Sequence, residues 1–208
     1  MRGRIRIALL VTLAAATAIL LARAAIGMQP ADPPGFDRAH SDLPPAAARA
    51  FGDFPLYTLG DSFEGLPLHA ISRRDDARAP AEPVRADYVG LIYGDCAAAS
   101  DNGCPPPLEV QVWPACERSF ADYSLTPAGD ELPYEPAIVR GVPAAWFEDG
   151  LRLELYSGKV TIVIFGLDHA QIGRAASALR GLNAAASRAP MLPPPGAGAT
   201  AGTLDCTS

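Results

Sequence analysis

Leu151-Arg152-Leu153-Glu154-Leu155-Tyr156-Ser157-Gly158-Lys159-Val160-Thr161-Ile162-Val163-Ile164-Phe165 is the stretch whose pattern decides the fold. Apolar and polar residues alternate up to Tyr156, Ser157-Gly158 has turn chemistry, and a β-branched run returns from Lys159. A two-residue Ser157-Gly158 loop sets Tyr156 opposite Lys159. Leu155 then meets Val160, Leu153 meets Ile162 and Leu151 meets Ile164, with all six side chains on one face. Arg152, Glu154, Thr161 and Val163 take the other face. A slip of one residue would reverse every side chain, so turn and pattern specify the same hairpin.

Working outward, Asp168 has the chemistry of a helix N-cap. Ile172, Ala175, Ala176, Leu179 and Leu182 follow at helical spacing, with Gly181 as the stop. Such a helix covers the apolar face of the hairpin. Upstream, residues 87–93 and 108–113 read as strands, with Leu108, Val110 and Val112 on one face. Residues 54–59 and 66–71 form two more around a turn at 60–65, and residues 142–147 another. Pro143 makes that last strand an edge at best. Strands joined by short turns, closed by one C-terminal helix, define an α+β domain with an antiparallel sheet.

The 208 residues carry a net charge of −6, which opposes nucleic-acid binding, since that requires a basic face. Arg2, Arg4 and Arg6 precede sixteen uncharged residues, 7–22, in the pattern of an export signal. Residues 1–28 are therefore expected to be a signal peptide or a single transmembrane anchor. Ala22-Arg23-Ala24 fits cleavage near Ala24, which releases a secreted domain. If Arg23 snorkels, the apolar run instead reaches Met28, long enough to span a bilayer and to keep the chain anchored. Either way the arginines stay inside and the C-terminal domain lies outside. Residues 29–50 read as a Pro/Ala-rich linker, 51–183 as the extracytoplasmic domain and 184–208 as an Ala/Pro/Gly-rich tail.

Cys96, Cys104, Cys116 and Cys206 all follow the export segment, and an even count outside the cell favours two disulfides. The Asp101-Asn102-Gly103 turn and Pro105-Pro106-Pro107 suit a Cys96–Cys104 neck. That leaves Cys116 to strap Cys206 and the tail. Cys206 left free for an intermolecular bond is the alternative. No metal-ligand spacing is present, and no cofactor motif.

Leu59-Gly60-Asp61-Ser62-Phe63-Glu64-Gly65 resembles the first block of the GDSL (SGNH) hydrolases. That resemblance implies an esterase with Ser62 as nucleophile, set between a strand and a helix. The later Gly-x-Asn-Asp block of the family has no counterpart, since the only asparagines are Asn102 and Asn183, nor has its Asp-x-x-His block, since Asp168 and His169 are adjacent. Other chemical candidates are isolated. His40, His69 and His169 lack local partners, Asp75-Asp76 and Glu148-Asp149 read as solvated acids, and Trp113, Trp146 and Tyr88 compose an aromatic patch or core packing. The expected function is a non-catalytic binding or assembly module of a bacterial envelope. An exported hydrolase acting through Ser62, or an accessory subunit of a membrane complex, are the alternatives. Its partner is an envelope or membrane protein, with residues 7–28 in the membrane if uncleaved.

Overall fold

The alternation at 151–165 does fold as a hairpin, in a register two residues from the expected one. Ser157 pairs with Val160, Leu155 with Ile162 and Leu153 with Ile164. Gly158-Lys159 is thus the loop. Gly158 takes φ +57 and Lys159 an ordinary φ, the pattern of a type II′ turn, which needs glycine only at its first position. The expected loop would have put Ser157 there. A two-residue shift leaves every side chain on its expected face. Leu151 alone departs: it lies in the turn before the hairpin, 45% exposed.

The computed structural model describes residues 40–75, 87–95, 106–124 and 130–205. They form strands β1 (His40–Asp42), β2 (Tyr57–Thr58), β3 (Ser62–Phe63), β4 (Leu66–Asp75), β5 (Asp87–Tyr93), β6 (Leu108–Pro114), β7 (Glu135–Val139), β8 (Val142–Phe147), β9 (Arg152–Ser157), β10 (Val160–Gly166) and β11 (Arg180–Gly181). Three short helices, α1 (Pro45–Ala50), α2 (Phe120–Tyr123) and α3 (His169–Ala178), complete the described elements. The main sheet runs β1-β4-β5-β6-β10-β9-β8-β7, antiparallel throughout, with β3 beside β4 and a separate β2–β11 pair. The fold is therefore mostly antiparallel sheet, with α3, ten residues long, its one helix of more than two turns among the described residues. Among the described residues, no helix is long and apolar enough to cross a membrane. The export segment, residues 29–39 of the linker, Cys96, Cys104 and Cys206 lie outside the described residues.

One face of the sheet is the core. Val89, Leu91, Leu108, Val110, Val112, Leu153, Leu155, Ile162 and Ile164 have no exposure. Each such side chain stabilises the fold by about 1.5–3 kcal/mol. Ile172, Ala175 and Ala176 of α3 close over them. The helix starts as expected, with Asp168 Oδ1 accepting from the Gln171 N–H at 2.7 Å. It stops at Ala178, before Gly181, because Arg180–Gly181 turns out to pair with β2.

Three expectations need correction. Strand β8 is internal, between β7 and β9; Pro143 sits opposite Ile138 in a non-hydrogen-bonded pair, so its nitrogen faces the β9 side, where the register begins only at Ala144, and its missing N–H does no harm. Of residues 54–59 only Tyr57–Thr58 is strand, although Leu56, Tyr57 and Leu59 are buried. Residues 40–50, read as linker, form β1 and α1, with Pro45 in the first helical turn, where a missing N–H costs nothing, and Ala48 fully buried.

The tail lacks strands beyond β11 yet is tied down. Asn183 is 2% exposed; its Oδ1 accepts from the Leu56 N–H, and its Nδ2 donates to the Phe51 and Phe54 carbonyls. Arg140 donates to the carbonyls of Leu179, Ala189 and Pro190. The Gly158 N–H donates to Pro193, and the Gly196 N–H to Gly158. Asn183→Ala removes the partner of two buried backbone groups and of the half-buried Phe51 carbonyl, and should cost about 2–4 kcal/mol. The measurement is the urea midpoint, which should fall with an unchanged m-value.

Candidate functional site

At one corner of the sheet the chain must pass from β8 to β9 in four residues. Glu148 (φ +55), Asp149 (φ +54) and Gly150 (φ +86) are all left-handed. Only the glycine does this freely; each L-residue there costs about 1–2 kcal/mol. Gly150 is also required sterically, since a Cβ would lie 2.9 Å from His169 Cδ2. His169, in the first turn of α3, stacks on Trp146 of β8, with centroids 3.8 Å apart and planes at 23°.

Against this corner lies a cavity of about 390 Å³, walled by Tyr134, Glu135, Trp146, Phe147, Asp149 and His169, among others. A second, of about 240 Å³, lies beside it and shares Pro133, Phe147 and Asp149. Arg152 lines the second, its Nη1 2.7 Å from Glu148 Oε1 and its guanidinium 4.5 Å over the Phe147 ring. Glu135 and Asp149 are exposed, with no ion pair among the described residues.

Behind Phe147, the second face of the sheet holds a buried polar network. Glu154 has no exposure; it accepts from Arg118 Nη2 at 2.5 Å and from the Tyr156 hydroxyl at 3.1 Å, with Arg152 Nε at 3.3 Å. Arg118 also lies 5.1 Å over Trp113, and its carbonyl accepts from Thr161 Oγ1. These contacts hold the segment after β6 on the sheet. That segment carries Phe120 and Tyr134, whose rings meet at 5.0 Å, with Tyr134 6.0 Å from Phe147.

Ser62 sits elsewhere. It is exposed on β3, opposite Pro67 in a tight hairpin turned by Glu64 (φ +49) and Gly65 (φ +83). A strand follows it, where the hydrolase resemblance implies a helix. Its Oγ makes no hydrogen bond among the described residues. His69 Nδ1 is 2.6 Å from Asp95 Oδ1, both exposed. The expected aromatic patch is divided: Trp113 stacks on Tyr88 at 4.2 Å on the second face, whereas Trp146 belongs to the core cluster. Cys116 is disulfide-bonded, to a partner outside the described residues. It lines a hollow of about 310 Å³ with Leu204, Asp205 and the acids Asp53, Asp87 and Glu117. Among the described residues no cluster of His, Cys, Asp or Glu could hold a metal.

Tyr134, Glu135 and Phe147 carried no local sign of a site. Asp149-Gly150 did carry one, being a dipeptide that favours positive φ between strands. No family model, curated protein or solved structure matches the chain.

Burial pushes the Tyr156 hydroxyl well above the usual tyrosine range, and the adjacent Glu154 charge adds to it. Burial raises Tyr93 likewise, against opposing hydrogen bonds from Thr58 and Leu59. Unfolded tyrosines ionise near about pH 10 while these stay protonated in the fold, so this stability is complete below that pH and is lost as the pH rises through it. The urea midpoint should hold to about pH 9 and fall above about pH 10. Tyr156→Phe should make that alkaline fall shallower.

Proposed function

We propose that the protein is a non-catalytic, exported module of a bacterial envelope, with a binding or assembly role centred on the Trp146 corner. The observation that carries the site is the strained Glu148–Gly150 turn closing an aromatic and acidic cavity, because strain of this kind persists where a geometry is used. The cavity is lined by Tyr134, Glu135, Trp146, Phe147, Asp149 and His169, with Pro133 and Gly150. The charge pattern of residues 1–28 supports export, either anchored with the C-terminal domain outside or secreted after cleavage near Ala24. The bonded state of Cys116 accords with an oxidising compartment. We pair it with Cys206, since Asp205 and Cys116 line one hollow, and leave Cys96 to Cys104. Residues 29–39 then act as the spacer between membrane and domain.

Intact-protein mass spectrometry of membrane and soluble fractions, with and without reduction, tests this reading. The expected result is four cysteines that resist alkylation until reduced, in a chain found in the membrane at full length or outside it from about residue 25. Unprotected thiols in a cytoplasmic full-length chain would overturn export. A fluorophosphonate adduct that disappears in Ser62→Ala would overturn the non-catalytic reading in favour of the hydrolase.

A further inference from the structure

We draw no further inference here: the strongest candidate, the apolar surface at the β7–β8 hairpin end where Ile138 and Met191 are exposed, carries nothing because nothing in the structure shows what covers it.

Discussion

Glu154 is a carboxylate with no access to water, and much of the molecule is arranged to make that tolerable. A buried ion pair carries a desolvation penalty of several kcal/mol per charge, so it adds little net stability. What it contributes is position. Arg118 must reach across from the segment after β6, and its carbonyl is held in turn by Thr161. Tyr156 and Arg152 must approach from the strand that bears Glu154. A hydrophobic residue at 154 would pack against many arrangements of that segment. A charge that needs a guanidinium and a hydroxyl permits few. Phe120, two residues after Arg118, is held near the corner in this way, and Tyr134 packs its ring against it.

The opposite face is organised by closure rather than by charge. Asn183 binds three backbone groups of the segment at 51–56, and β2 pairs with β11 beyond it. Leu56 and Asn183 are separated by 127 positions in the chain. Arg140 does the same work for the tail, at the turn between β7 and β8. The early and late parts of the domain therefore stabilise one another, and contacts of such separation are made late in folding.

How much of this was legible follows from which constraints are local. The hairpin faces were, because a period of two fixes them whatever the register. The register was not, because it depends on which residue of the turn takes the positive φ, and Gly158 serves best in first position. The Asp168 cap, the β5 strand and the faces of β6 were also local facts. The strand at β7 was hidden: Glu135–Val139 is mostly exposed and lacks a buried stripe to reveal it. Trp146, His169 and Glu148-Asp149 each stood out as residues, but their meeting depends on the sheet order β10-β9-β8-β7 and on where α3 begins. Ser62 shows the reverse case. Its neighbours carry the glycines of a nucleophile turn, and the same glycines serve a hairpin equally well.

The borders of the large sheet carry one more implication. Among the described residues, its outer strands are β1 and β3, three and two residues long, and β7, which contains Pro136 and so lacks one of the N–H groups that a pairing chain would need. Short or proline-bearing borders are poor templates for strand addition. A sheet that assembles among copies of its own chain does so with half-made ladders exposed. Blunt borders let the central hairpin assemble first while denying neighbouring molecules a ladder to join. The guard against strand addition thus falls to the outer strands, which contribute least to the core.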